Sequence, residues 1–142
     1  QISKEGYLQE WLEDYKEVYA YRGVSVEVIT EGEFTVMMSE SLASVLLTNL
    51  LKNAFVHVTE GGVIRILFTT ESMVVANSGE QPLDGERIFE RFYQGHKKEG
   101  STGLGLALAE SVCKSSGLDI RYEFTEGMHR FTVSRSGSER VG

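Results

Sequence analysis

Three polar side chains recur at four-residue intervals in a leucine-rich stretch of the sequence: Asn49, Asn53 and His57. Residues four apart lie on the same side of an α-helix, so these three form one stripe, called here the Asn stripe. An Asn amide oxygen in such a stripe can bind a hard cation such as Mg²⁺, which accepts neutral oxygen ligands while keeping waters and phosphate oxygens. The alternative interpretation is a set of hydrogen-bonded core amides or a partly exposed helix edge.

A second candidate region is glycine-rich and lies where a polar loop becomes a helix, in the run Gly100-Ser101-Thr102-Gly103-Leu104-Gly105-Leu106-Ala107. Free backbone N–H groups at a helix start bind anions, and glycine lets phosphate oxygens approach the main chain. Two glycines also let a helix pack closely against a neighbour, so this run alone is weak evidence for a phosphate site.

The residues before the glycine run are cationic, although the chain is acidic. Four cations against one acid leave residues 87–98 with a local charge of +3, in a chain whose net charge is −7. A cationic loop beside a glycine-rich helix start is how an acidic protein can hold a polyphosphate. The alternative is an ordinary solvated loop.

The composition narrows the function classes. The 142 residues have a pI near 5.0, which argues against binding nucleic acid or anionic lipid through overall charge. The single Cys113 excludes an internal disulfide framework and a cysteine zinc site, and it suits a reducing cytoplasm. No apolar run approaches the ~18 residues of a membrane span, so we expect no direct membrane contact. The first residue is Gln1, and we expect the chain to be a piece of a longer protein.

The helices that would position these residues follow from apolar spacing at three and four residues. This spacing predicts a first helix over residues 5–22, ended by Gly23. It predicts a second helix of about 20 residues that begins at the N-cap Ser39 and carries the Asn stripe until residues 59–62 stop it. A third helix is predicted over residues 103–116, with Gly117 following its end.

Alternating and β-branched runs predict three hairpins, formed by residues 24–28 with 34–38, 63–69 with 73–76, and 119–125 with 129–134. Residues 77–85 are predicted to be irregular, and the polar residues 94–102 to form a mobile loop. Paired strands with helices inserted between the pairs predict an α+β two-layer sandwich. In it, one mixed sheet is covered on one face by three helices.

Four segments follow one another along the chain: Asn49-Leu50-Leu51-Lys52-Asn53-Ala54, Asn77-Ser78-Gly79, Ile88-Phe89-Glu90-Arg91-Phe92 and Thr102-Gly103-Leu104-Gly105-Leu106. In this order they resemble the N box, first glycine box, F box and second glycine box of one family. It is the family of ATP-binding catalytic domains of sensor histidine kinases, members of the Bergerat-fold ATPase superfamily. The resemblance covers residues 5–135 and implies that residues 1–142 are one ATP-binding domain, with the acceptor and dimerisation helices outside it.

The resemblance implies a role for each asparagine in the boxes. Asn53 would hold Mg²⁺ and, through it, the phosphates of ATP. Asn49 stands where hydrolysing members of the superfamily carry a glutamate base, and an Asn cannot activate water in that way. Asn77 matches the position whose side chain accepts a hydrogen bond from the adenine amino group.

The resemblance implies further ATP contacts from the rest of the boxes. Arg91 is implied as a catalytic cation that reaches the phosphates, and Phe89 and Phe92 as anchors of the lid over ATP. The other implied ATP-binding residues are His57, Gly79, Lys97, Lys98, Thr102, Gly103, Leu104, Gly105 and Leu106.

The leading hypothesis is a catalytic domain that transfers the γ-phosphoryl group of Mg·ATP to a histidine on a separate dimerisation domain. A response regulator would act downstream, and the parent protein would be a homodimeric inner-membrane sensor with this domain on the cytoplasmic side. Val56, Asn77 and Gln81 depart from the family pattern and favour an alternative, a degenerate nucleotide-binding or partner-binding module without kinase activity. A third hypothesis, a self-contained ATPase, is disfavoured by Asn49.

Overall fold

The computed structural model describes residues 13, 23–34, 38–80 and 105–135. The strands in these residues are β1 (Ser25–Thr30), β2 (Val63–Phe68), β3 (Ser72–Ser78), β4 (Leu118–Thr125) and β5 (Met128–Arg135). They form one sheet in the order β1-β2-β3-β5-β4. β1 runs parallel to β2, and the other neighbours are antiparallel, so the sheet is mixed as predicted.

Two helices are described beside the sheet, α1 (Glu40–His57) and α2 (Gly105–Ser115). Ser39 is the N-cap of α1, because its hydroxyl oxygen accepts a hydrogen bond of 3.2 Å from the Leu42 N–H. α1 ends where Val58 turns to an extended conformation while its N–H still donates to the Ala54 carbonyl. α2 is followed by Gly117 in the left-handed region, at φ +73°, where glycine avoids the steric penalty of a side chain.

The hydrophobic core lies between the helices and one face of the sheet. Alternate residues of β2 are buried, namely Ile64, Ile66 and Phe68, which is the period of a strand with one covered face. They pack with the leucines of α1 and with Ala109, Val112 and Cys113 of α2. Strand residues of this core all lie on the same face of the sheet, so both helices cover that face and the α+β sandwich is confirmed.

The structure confirms two of the three predicted hairpins, β2 with β3 and β4 with β5. The first differs, because β1 pairs in parallel with β2, a strand far along the chain. Phe34 and Met38, the ends of its predicted second strand, lie outside any strand, and residues 35–37 are outside the described residues. The first predicted helix, over residues 5–22, also lies outside them except for Glu13, which is helical.

The prediction that the irregular segment begins at residue 77 is wrong. Asn77 and Ser78 are the last residues of β3, paired with His129 and Met128 of β5. Their polar side chains suggest a loop. The strand nevertheless continues through both residues, because β5 pairs with β3 as far as Ser78.

Within the described ranges, neither helix is long and apolar enough to cross a membrane.

Candidate functional site

The Asn stripe is confirmed as one partly buried side of α1. The amide nitrogen Nδ2 of Asn49 donates to the carbonyl of Val45, one turn earlier, at 2.7 Å. This contact supports the satisfied-amide interpretation for one half of the Asn49 side chain. The carbonyl oxygen Oδ1 faces the other way, toward α2. Asn53 and His57 continue the stripe toward the end of the helix.

Gly105, the first residue of α2, lies against Asn49. A Cβ atom at position 105 would stand 3.0 Å from Asn49 Oδ1, closer than such atoms normally approach. The close-packing interpretation of this glycine is therefore supported. The same contact brings the first turn of α2 to the Asn stripe, with N–H groups that have no partner inside the helix. The first turn of α2 also contains no acidic residue that would repel an anion.

Asn77 lies at the end of β3 on the face covered by the helices and is 1% exposed. Its Nδ2 donates to the carbonyl oxygen of Ser78 at 3.0 Å. Because the amide is planar, this bond turns the nitrogen toward the backbone and the carbonyl oxygen to the opposite side. The strand thus presents a buried hydrogen-bond acceptor in a fixed orientation.

Ser78 joins the end of α1 to the end of β3. Its hydroxyl group is 2.9 Å from that of Thr59, just after α1, and accepts a 3.0 Å hydrogen bond from the Val63 N–H. Its carbonyl oxygen accepts from the Thr59 N–H at 3.2 Å, beside the bond from Asn77. The helix that carries the Asn stripe and the strand that carries Asn77 are therefore held in one geometry. The sequence predicts only a helix stop at Thr59, because this contact joins residues 19 apart.

Gly62 should be intolerant of a side chain, because it lies directly beside this connection. A Cβ at position 62 would overlap the Ser78 hydroxyl and stand 2.8 Å from the Thr59 carbonyl oxygen, which is backbone and cannot rotate away. We expect Gly62→Ala to lower the free energy of unfolding by about 1–3 kcal/mol, as overpacking does. Urea denaturation measures this change.

The matched control for Gly62→Ala is Glu60→Ala, an exposed residue of the same turn. It should change the stability by no more than about 0.5 kcal/mol. A Gly62→Ala variant as stable as Glu60→Ala would show that the turn adapts and that the connection through Ser78 is not rigid.

Metal ligands and reactive thiols are limited in the described part of the chain. It contains no group of three or more His, Cys, Asp or Glu that could together hold a metal ion. Phosphate and water oxygens could serve as the other ligands of a cation at Asn53, and Mg²⁺ accepts such a set. Burial, and secondarily the charges of Asp119 and Glu110, raises the pKa of the Cys113 thiol to about 12, so it stays protonated and unreactive at neutral pH.

Several predicted site residues lie outside the described residues, so the structure does not place them relative to the Asn stripe. These residues are Phe89, Arg91, Phe92, Lys97, Lys98, Thr102, Gly103 and Leu104, and Gln81, which departs from the family pattern, lies outside them too. Of the remaining second-glycine-box residues, Gly105 contacts Asn49, and Leu106 packs against the hydrophobic core. Gly79 follows β3 directly, two residues after Asn77.

One buried polar residue, His129, is not among the residues that the sequence predicts for the site. It is 4% exposed and pairs directly with Asn77 across β3 and β5. The alternation of the last strand indicates that His129 is buried, because residues 129, 131 and 133 share the core face of this strand.

A model of the family described as histidine kinase-, DNA gyrase B-, and HSP90-like ATPase matches residues 38–138. The chain is 36% identical to the sensor histidine kinase RppB of Synechocystis sp. over 94 residues, 59% of this chain and 21% of RppB. It is 33% identical to the sensor protein QseC of Escherichia coli K12 over 85 residues, 57% of this chain and 19% of QseC. The matches span about a fifth of the length of these relatives.

Solved structures share the fold of this chain. The nucleotide-free catalytic domain of the histidine kinase ThkA superposes with a TM-score of 0.79 at 21% identity, over 95% of this chain and 93% of that one. Full-length ShkA, solved in complex with AMPPNP, superposes with a TM-score of 0.78 at 22% identity, over 94% of this chain and 30% of ShkA.

Proposed function

The chain belongs to the histidine kinase-, DNA gyrase B- and HSP90-like ATPases, as an ATP-binding catalytic domain of the sensor histidine kinase type, and we propose that it transfers the γ-phosphoryl group of Mg·ATP to a histidine on a separate dimerisation domain. The observation that carries the proposal is the meeting of α1 and α2 at Asn49 and Gly105. This contact brings the start of α2 beside the Asn stripe, which supports binding of the metal and the phosphates there. Ser78 connects this helix pair to the buried acceptor of Asn77.

Asn53 would bind the metal. It lies one helical turn beyond Asn49 on the Asn stripe. Its amide oxygen is a ligand of the kind that Mg²⁺ accepts, with waters and phosphate oxygens completing the coordination. When bound, Mg²⁺ would neutralise phosphate charge during the transfer. The residues therefore fit the metal that the family implies.

The phosphates would lie against the first turn of α2, where the backbone N–H of Gly105 would donate to them, and the N–H of Gly103 would add to this set. Arg91, Lys97 and Lys98 would add positive charge from a lid that Phe89 and Phe92 would anchor. Thr102, Leu104 and Leu106 would shape the same loop and helix start. His57, the last residue of the Asn stripe, would also contact ATP.

Asn77 would accept a hydrogen bond from the adenine base, and Gly79 would belong to the same nucleotide-binding segment. The amide oxygen of Asn77 can accept a hydrogen bond from the adenine amino group. Guanine presents a carbonyl oxygen at the same position of the ring, and two acceptors facing each other repel. We therefore propose selectivity for adenine nucleotides.

Catalysis would consist of positioning and charge neutralisation, which is what phosphoryl transfer requires. Asn49 has no basic group that could take a proton from water, so the bound nucleotide is protected from hydrolysis until an acceptor histidine arrives. The proposed partners are the phosphoacceptor domain of a homodimeric parent protein and a downstream response regulator. The proposed location is the cytoplasmic side of an inner-membrane sensor, with residues 5–135 as the domain core.

Titration calorimetry with ADP, in Mg²⁺ and in EDTA, tests the binding part of the proposal. We expect ADP to bind at least about tenfold more tightly in Mg²⁺ than in EDTA, which corresponds to about 1.4 kcal/mol of binding free energy. GDP should bind at least about tenfold more weakly than ADP, because it loses the bond to Asn77. Absence of ADP binding under both conditions would contradict the proposal.

A second candidate function is a nucleotide-binding or partner-binding module without kinase activity. Val56 supports it, because this residue is partly buried in α1 one turn beyond Asn53 and brings no charge to the phosphates. Asn77 and Gln81 support it in the same way, since both depart from the family pattern. Nucleotide binding without phosphoryl transfer would identify this second function.

A further inference from the structure

His129 lies directly opposite Asn77 in the pairing of β3 with β5, so the two side chains share one face of the sheet. Among the described residues, these two are the buried polar side chains, with 1% of Asn77 and 4% of His129 exposed. An imidazole loses its hydrogen bonds to water when it is buried, so it requires hydrogen-bonding partners within the protein. His129 therefore lies, with partners of its own, beside the residue proposed to bind the adenine base.

The imidazole of His129 is held on one side by residues of β4. Its Nδ1 is 2.9 Å from the Tyr122 hydroxyl group. The Tyr122 ring is nearly parallel to it, with the centroids 5.9 Å apart, and the Phe124 ring is tilted against it at 4.9 Å. The hydrogen bond and the two rings together fix the orientation of the imidazole.

The opposite edge of the imidazole points at Gly79. A Cβ at position 79 would overlap the Nε2 and Cδ2 atoms of His129, so the ring occupies the space that a side chain there would need. The Gly79 N–H donates to the Gly127 carbonyl at 2.9 Å, which holds this backbone against the turn between β4 and β5. The imidazole thus packs between β4 and the segment of residues 77–79.

We propose that His129, held by Tyr122, is a positioning residue that sets the nucleobase selectivity of the site. Its Nδ1 edge is bound to Tyr122 and its other edge packs against Gly79, and it acts by supporting Asn77 and Gly79. Without the imidazole, the segment of residues 77–79 would relax into the vacated space, and the Asn77 amide oxygen would leave its fixed position. This inference rests on the proposed function, in which Asn77 accepts a hydrogen bond from the adenine amino group.

The test compares ADP with purine riboside 5′-diphosphate, which lacks only the 6-amino group, by titration calorimetry in Mg²⁺. In the wild-type chain, ADP should bind about tenfold more tightly, the value of one hydrogen bond. In His129→Ala, this ratio should fall below about twofold, through weaker ADP binding, while the affinity for the purine analogue changes by less than about twofold. Tyr122→Phe keeps the ring and removes only the hydroxyl group, and its ratio should fall to about threefold.

The matched control is Val133→Ala, because Val133 is fully buried on the same face of the same strand but pairs with Met73, away from Asn77. It should lower the melting temperature and leave the tenfold ratio unchanged. If His129→Ala does not fold, Tyr122→Phe decides by the same ratio.

Three outcomes in a chain that binds nucleotide would overturn the inference. The first is an unchanged ratio in a folded His129→Ala or Tyr122→Phe variant. The second is an equal loss of affinity for both nucleotides, which would show that His129 only stabilises the fold. The third is a wild-type chain that binds both nucleotides equally well, so that Asn77 reads no amino group. A wild-type chain that binds neither nucleotide would instead overturn the proposed function, and this inference with it.

Discussion

Replacing Asn53 with alanine is expected to abolish the Mg²⁺ dependence of nucleotide binding. The wild-type chain should bind ADP at least about tenfold more tightly in Mg²⁺ than in EDTA. Asn53→Ala should show one affinity under both conditions, because alanine offers no oxygen ligand to the cation. Asn53 is partly buried on the Asn stripe, so the truncation removes few core contacts and the variant should still fold. Titration calorimetry with ADP measures both affinities.

The control for this variant is Lys52→Ala, the preceding residue, which is exposed on another side of α1. It removes a charge from the same helix without removing an oxygen ligand. Lys52→Ala should therefore retain the full effect of Mg²⁺. If Asn53→Ala also retained a tenfold effect, the metal would be bound elsewhere and the role assigned to the Asn stripe would be wrong.

Local signals in the sequence were sufficient to predict much of the fold. Ser39 marks the start of α1 by its hydroxyl group, and Gly117 follows α2 because the chain there needs a positive φ. The turns at residues 70–71 and 126–127 predict the hairpins that they join. Each of these features is decided by residues that are neighbours in the chain.

The features of the fold that the sequence does not predict depend on contacts between residues far apart in the chain. β1 has its partner in β2, beyond the whole of α1, and no property of residues 25–30 distinguishes this parallel pairing from a hairpin with the next extended run. Asn77 and Ser78 were predicted as loop because both are polar, yet β5 and Thr59 satisfy them within the strand.

The candidate site divides in the same way. The four-residue spacing of Asn49, Asn53 and His57 predicts their common stripe, because helix geometry is local. The contact of Asn49 with Gly105 joins two helices that are far apart in sequence, so the spacing could not predict it. His129 was missed although its strand alternation indicates burial, since a polar residue at a core position has meaning only once its partner Asn77 is known.

The isolated chain is expected to be inactive in two reactions, its own phosphorylation and the hydrolysis of ATP. We expect neither labelling of the chain by the γ-phosphate of ATP nor turnover of ATP above the background rate. Asn49 cannot deprotonate water, and none of His57, His96 and His129 lies in a sequence that resembles a phosphoacceptor box. Incubation with [γ-³²P]ATP and Mg²⁺, followed by electrophoresis and by assay of free phosphate, measures both reactions. Rapid release of phosphate would indicate a self-contained ATPase.

Phosphoryl transfer to a separate acceptor tests the central proposal most directly. The chain would be incubated with [γ-³²P]ATP, Mg²⁺ and a fragment of its parent protein that carries the acceptor histidine. We predict acid-labile label on the fragment, at a rate that rises with fragment concentration because no tether holds the two parts together. Asn53→Ala should reduce this rate at least about tenfold. Tight nucleotide binding with no label on the fragment at high concentration, or acid-labile label on the chain itself, would contradict the proposed function.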